Sequence, residues 1–187
     1  MRKSRSGVPV ALTLAGTLFA GTLALAGTAS ADPAGPREQT ASHHTPRAQQ
    51  ERLTRDWVLL WNGDYRLADR LISPDLRVHA ALLGGGDGSA ITGPAGLVGM
   101  ITQIRASFTD LRFTVQVGPI IDGDHVVVRW TATGTYSGGF PGATAPVGTH
   151  ITFDGTDLLR VERGQIAEYW LNADTLGLVT QLAVSGS

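Results

Sequence analysis

The chain has 187 residues, with 15 Lys and Arg against 16 Asp and Glu, and no cysteine, so thiol catalysis, cysteine-based metal sites and disulfides are excluded. Its one lysine, Lys3, falls at the extreme N-terminus, which leaves the body of the chain nothing for Schiff-base chemistry or a P-loop. The balance of charge carries no basic footprint for nucleic acid.

Arg2, Lys3 and Arg5 precede an apolar run from Val8 to Gly27, which closes on Ala29-Ser30-Ala31. A basic start, a short apolar centre and an A-x-A end predict a secretory signal over residues 1–31, cleaved after Ala31, and hence a secreted protein. The run is diluted by Gly and Thr and falls near the minimum of about 20 apolar residues for a spanning helix, so no stable membrane insertion is expected after cleavage. Removing 31 of 187 residues leaves 156. Three of the 15 basic side chains and none of the 16 acidic ones leave with the leader, so the mature charge is −4 with His neutral. Residues 32–46, DPAGPREQTASHHTP, have no apolar period and read as a disordered linker. His43-His44 within it lacks further metal ligands, and no metal-binding motif spacing occurs elsewhere.

The domain proper is expected over 47–187. Leu53, Trp57, Leu60 and Trp61 fall at i, i+4, i+7 and i+8, one face of a helix that Asn62-Gly63 ends. A second short helix is expected from Asp64 to Ile72, stopped by Ser73-Pro74. Leu76–Ala80 reads as a short strand, and Gly84–Gly93 as a glycine-rich loop. Pro94 suits the first turn of a third helix carrying Leu97, Met100, Ile101, Ile104 and Phe108. Four segments rich in Val, Ile, Thr and aromatics follow, at Leu111–Val117, Val126–Tyr136, Thr149–Val161 and Gln165–Asn172. Asp122-Gly123-Asp124 and Arg163-Gly164 join neighbours at hairpin spacing, and Thr175–Leu182 is a short amphipathic end. Helices first and strands after predict an α+β fold, with the helices on one face of a curved antiparallel sheet.

The order of these pieces resembles the SnoaL-like polyketide and ester cyclases of the cone-shaped, nuclear transport factor two-like (cystatin-like) superfamily. The residues that carry the resemblance are Trp61-Asn62-Gly63-Asp64, Ser73-Pro74-Asp75 leading to His79, and Gly93-Pro94-Ala95-Gly96. Phe108-Thr109-Asp110-Leu111 and Val127–Gly134 continue it, and Arg160–Gly164 runs on through Ile166, Glu168 and Trp170 to Asp174 and Gln181-Leu182. The resemblance spans roughly residues 50–183. It implies the helices on the concave face of the cone, an apolar pocket between sheet and helices, a hydrophobic small-molecule ligand, no cofactor, and a homodimer formed by sheets back to back. It also implies an aspartate at the end of the last strand as general acid/base in an intramolecular aldol ring closure, and Asp174 stands in that position.

Alternation puts Glu168, Trp170, Asn172 and Asp174 on one face of the last strand, and that face is expected to line the pocket. Asp174 reads either as an acid/base group or as the N-cap of the helix beginning at Thr175. His79 is the candidate helper, donating to a substrate carbonyl or enolate, or is a half-exposed structural histidine. Arg129 is a candidate ligand anchor, with pairing to Asp157 or exposure as the alternatives. Asp157 occupies a position where relatives often place a polar pocket residue. Trp61, Phe108 and Trp170 are expected as pocket wall, and Tyr136–Val147 as a lid or a plain connection. The function expected is cofactor-free acid/base chemistry on a hydrophobic, carbonyl-rich molecule. Its rival is a non-catalytic extracellular protein that holds an apolar ligand in the same pocket.

Overall fold

A computed structural model describes residues 45–82 and 85–184; the leader, most of the linker and His43-His44 lie outside them. The elements are α1 (Arg47–Trp61), a 3₁₀ turn (Tyr65–Leu67), α2 (Ala68–Leu71), β1 (Ile72–Ala80) and α3 (Gly93–Arg105), followed by β2 (Phe108–Asp122), β3 (His125–Tyr136), β4 (His150–Glu162), β5 (Gln165–Ala173) and α4 (Thr175–Gln181). The five strands form one sheet in the order β1-β5-β4-β3-β2. The α+β class is as expected, with one refinement of the sheet. Three ladders are antiparallel, but β1 joins β5 in parallel, because the chain must cross the whole sheet between them.

Strand alternation decides which side the helices cover. Val126, Val128, Trp130 and Ala132 of β3 and Ile151, Phe153, Leu159 and Val161 of β4 are buried, while their neighbours in sequence are partly or fully exposed. α1 packs over β2 and β3, α3 over β1 and β2, and α4 against β4, so the core lies between this face and the helices. α1 buries Gln50, Leu53, Thr54, Trp57, Leu60 and Trp61, the stripe its sequence spacing predicts. Polar clamps fix it at both ends. Gln50 Nε2 donates to Gly123 O at 2.8 Å, while Asn62 Nδ2 donates to Phe113 O at 3.0 Å and Asn62 Oδ1 accepts from Phe113 N at 2.8 Å.

Two expectations shift locally. The second helix shortens to the 3₁₀ turn and one turn of α2, and β1 begins earlier, at Ile72. The third helix ends at Arg105, so Phe108 opens β2 rather than riding the helix. Asp110, at φ 52°, makes a bulge there and its Oδ1 accepts from Thr135 N at 3.0 Å. The bulge restores the parity that turns Leu111 and Phe113 inward.

Candidate active site

Asp157 is the one buried carboxylate among the described residues. It lies on β4 at an inward position, between Val128 of β3 and Leu171 of β5. α1 brings Trp57 down onto it, and the Trp57 Nε1–H donates to Asp157 Oδ2 at 2.8 Å. From β5 the Tyr169 hydroxyl donates to Asp157 Oδ1 at 3.0 Å. Burial pushes the Asp157 carboxyl up from 3.8 to about 6, and donors from Trp57, Trp130 and Tyr169 oppose that rise without cancelling it. Burial, reinforced by the neighbouring carboxylate, also raises the Tyr169 hydroxyl well above its usual value, which keeps it a neutral donor.

Aromatic rings enclose the acid. Trp57 meets Tyr169 edge-on with centroids 4.8 Å apart and Trp61 at 6.0 Å. Phe113 lies 5.0 Å from Trp61 and 5.1 Å from Trp130, and Trp130 reaches Phe153 at 5.7 Å. Gly155 makes room for this arrangement, since any Cβ there would run into the Trp130 indole. The result is a basket of packed rings around one buried carboxylate. A carboxylate offers about four lone-pair sites, and Trp57 and Tyr169 engage one on each oxygen. The end of the basket near Phe108 is covered by the segment after Tyr136, with Phe108 6.2 Å from Tyr136 and 6.5 Å from Phe140. Thr144 N and Ala145 N both donate to Leu182 O, at 3.2 and 3.0 Å, and so tie that segment to α4.

The structure divides the residues singled out from the sequence between two faces. Trp61, Phe108 and Asp157 lie on the helix side. His79, Arg129, Trp170 and Asn172 lie on the opposite side, which corrects the expectation that the Glu168–Trp170–Asn172 face lines the interior. The register explains it: Tyr169 pairs with the buried Leu159, which turns Trp170 outward against Leu158 and His79. His79 and Trp170 stack there at 4.8 Å with planes 9° apart, and His79 Nε2 is 3.7 Å from Glu168 Oε1. Arg160 and Arg77 also hold Glu168, and Arg160 above all keeps its carboxyl below the usual range. Arg129 pairs with Asp154, Nη2 to Oδ2 at 2.9 Å, and not with Asp157. Asp174 is exposed, and its Oδ1 accepts from Gly177 N at 2.8 Å as the N-cap of α4.

Grooves of about 640 and 500 Å³ open beside β1, one lined by Arg77, His79, Asp87 and Ser89, the other by Arg77, Arg160 and Arg163. Asp157 lines neither. Among the described residues no cluster of three His, Asp or Glu side chains has metal-binding geometry. Sequence reasoning missed Trp57, Trp130 and Tyr169 as parts of the site. The available signal was Asp157 itself, an acid at an apolar position of the alternation Ile151, Phe153, Gly155, Asp157, Leu159 and Val161.

Comparison with known proteins agrees with this architecture. The sequence profile of the SnoaL-like polyketide cyclases matches residues 51–182. TsrD from Streptomyces laurentii is 26% identical with a TM-score of 0.64, over 75% of this chain and 99% of its own. IdmH from Streptomyces antibioticus, designated a candidate polyketide cyclase, is 28% identical with a TM-score of 0.61, over 73% and 99%. AclR from Streptomyces galilaeus, designated a candidate hydroxylase, shares the fold at 23% identity and a TM-score of 0.62, over 76% and 89%. No curated protein matches the chain.

Proposed function

The chain belongs to the SnoaL-like polyketide cyclase family, and on that premise we propose that it is a secreted enzyme carrying out cofactor-free acid/base chemistry on an apolar, carbonyl-rich small molecule. The observation that carries this reading is Asp157: a carboxylate buried among aromatic rings, whose burial pushes it up to about 6. At neutral pH it is mostly ionised, yet basic enough to take a proton from a carbon flanked by carbonyls. The C–H electrons pass into an enolate. Its carbon attacks a second carbonyl of the same molecule, and the new alkoxide takes the proton back from Asp157. Proton and charge balance over the cycle. Ligand entry is by displacement of the segment after Tyr136, which contains no charged residue from Ser137 to Thr149. Residues 1–31 direct export, and N-terminal sequencing of protein from the medium is expected to begin at Asp32.

The test is hydrogen–deuterium exchange at the α-carbon of a panel of aryl β-keto esters, followed by NMR, with Asp157→Asn, Asp174→Asn and His79→Ala compared. Loss of about 100-fold or more in Asp157→Asn alone is expected. Loss in Asp174→Asn with Asp157→Asn unaffected returns the role to the aspartate that family resemblance pointed to and overturns this assignment. A second reading, a non-catalytic holder of apolar ligands, is favoured by one fact: no other carboxylate among the described residues is buried to relay the proton. Binding without exchange in the unaltered protein is its signature.

A further inference from the structure

His79 and the glycine-rich run after β1 have no part in the interior site, and the structure brings them together. β1 is an edge strand. The segment Gly86–Ser89 folds back along its outer side, where Ala80 N donates to Asp87 O at 2.8 Å and Leu82 N donates to Gly86 O at 3.1 Å. Glycine is required for this approach. Gly88 has φ 83°, and a Cβ there would stand 3.0 Å from Val78 O and 3.2 Å from Ala80 N. The groove of about 640 Å³ opens where this segment meets the end of β1. That volume falls within the range of small-molecule sites, about 300–1,000 Å³.

Arg77, His79, Asp87 and Ser89 are its polar lining, and local contacts fix them. Asp87 Oδ1 accepts from Ser89 N at 2.9 Å. The Ser89 hydroxyl above all, with His79 nearby, holds the Asp87 carboxyl below its usual value, so at neutral pH it is an acceptor. Arg77 Nη2 lies 2.6 Å from Glu168 Oε1, an ion pair that sets a guanidinium with five N–H donors at the groove wall. The His79 imidazole stacks on Trp170, with centroids 4.8 Å and planes 9° apart. Its Nε2 is 3.7 Å from Glu168 Oε1, beyond hydrogen-bond reach. Among the described residues the ring is therefore held by one face and not by its nitrogens, and its edge and other face are what the groove meets.

This set selects by charge and by shape. One guanidinium and one carboxylate line the groove, so with His79 neutral its charge sums to zero and favours neither an anion nor a cation. Arg77 and Ser89 supply donors, Asp87 supplies acceptors, and a neutral His79 supplies one of each. The apolar part is confined to Val78, Ala80, Ala81 and Leu171 and the open face of the imidazole. We propose that this groove is a second ligand site and that its ligand class is a neutral saccharide. Pyranose hydroxyls donate to Asp87 and accept from Arg77 and Ser89, while the C–H face of the sugar lies on the imidazole that Trp170 backs. Arg77 also lines the neighbouring groove of about 500 Å³. The two grooves meet at that side chain, which favours an oligosaccharide over a single sugar. The proposal does not depend on the role of Asp157.

The test is an NMR titration of the ¹⁵N-labelled mature protein with cellotetraose, N-acetylchitotetraose and mannotetraose, and with tetragalacturonate as the anionic control. At least one neutral tetrasaccharide at millimolar concentration is expected to move the amide signals of His79, Ala80 and Gly86–Ser89, with those of Trp57 and Trp130 unmoved. His79→Ala and Asp87→Ala are each expected to weaken that binding by roughly 3- to 10-fold and to leave α-carbon exchange as in wild type. No movement with any neutral probe, movement with tetragalacturonate alone, or binding by both variants equal to wild type overturns the proposal. The wild-type titration decides the matter even where a variant folds poorly. Asp157→Asn is expected to bind the saccharide as wild type does. Loss of binding in that variant would place the sugar in the interior and overturn the groove assignment, whereas absence of α-carbon exchange in wild type bears on the interior reading alone.

Discussion

The titration of Asp157 sets a measurable slope on folding stability. A carboxyl moved from 3.8 to about 6 holds its proton more tightly in the folded chain, by about 3 kcal/mol. Below about pH 4 both states are protonated and the full benefit of the buried neutral acid is present. As pH rises toward 6 the unfolded chain gives up the proton while the folded chain keeps it, so unfolding releases a proton and stability falls. Above about pH 6 both are ionised and the loss is complete. The carboxylates of Asp64, Asp87 and Glu168 are held low by Arg66, Ser89 and Arg160 respectively, and contribute in the opposite sense at lower pH. Urea unfolding of wild type and Asp157→Asn at half-unit steps from pH 4 to 8 isolates the residue, because the other groups cancel in the difference. The wild type is expected to lose about 2.5 kcal/mol relative to the variant across this range, a Tm change of roughly 5–10 °C for a domain of this size. Parallel curves for the two proteins would refute the burial argument and remove the basis for Asp157 as a base.

Three structural predictions follow from single contacts. Gly155→Ala forces a Cβ into the Trp130 indole, and thermal denaturation is expected to show a loss of about 1–3 kcal/mol. Asn62→Ala strands the Phe113 amide and carbonyl, for a loss of about 2 kcal/mol and faster amide exchange in β2. The exposed face of the sheet carries a row from Ile120 through Val127, Leu158 and Trp170 to His79, crossing all five strands. Light scattering is expected to find a dimer built on this row, and Leu158→Arg to give a monomer; an unchanged mass in that variant would move the interface elsewhere.

Much of the fold is legible in the sequence because period alone encodes it. α1 shows its stripe, and β3 and β4 show their alternation, over lengths where chance mimicry is small. β5 is different. Ala167, Tyr169 and Leu171 on one parity and Ile166 and Trp170 on the other leave both faces partly apolar, and only pairing with Leu159 of β4 decides between them. Phe108 misleads for a local reason, since it sits at i+4 from Ile104 and continues the helical stripe. The helix stops at Arg105, before it reaches Phe108, and the bulge at Asp110 in the left-handed region then sets the parity of Leu111 and Phe113. The parallel placement of β1 and the Trp57–Asp157 bond, 100 residues apart in sequence, are non-local and leave no periodic trace. Asp157 itself was visible as an acid on an apolar face; the donors that define its chemistry were not.

The cluster around Asp157 is costly as a piece of core, and that cost can be measured. The carboxyl gives up about 3 kcal/mol at neutral pH by being buried, while Trp57 and Tyr169 spend their polar groups on holding it. Removing only one member strands the others, so single variants overstate the worth of the network. Replacing all three polar groups together, as Trp57→Phe, Asp157→Leu and Tyr169→Phe, removes the network as a unit, with the smaller ring in place of the Trp57 indole as its packing cost. Such concerted swaps are neutral or stabilising by about 1–4 kcal/mol where the polar group was not a structural necessity. The triple variant is therefore expected to match or exceed wild type in urea unfolding at pH 7.5, and to show no α-carbon exchange. A triple variant less stable than wild type by several kcal/mol would mean that Asp157 is a structural keystone, and its burial would then need no chemistry to explain it.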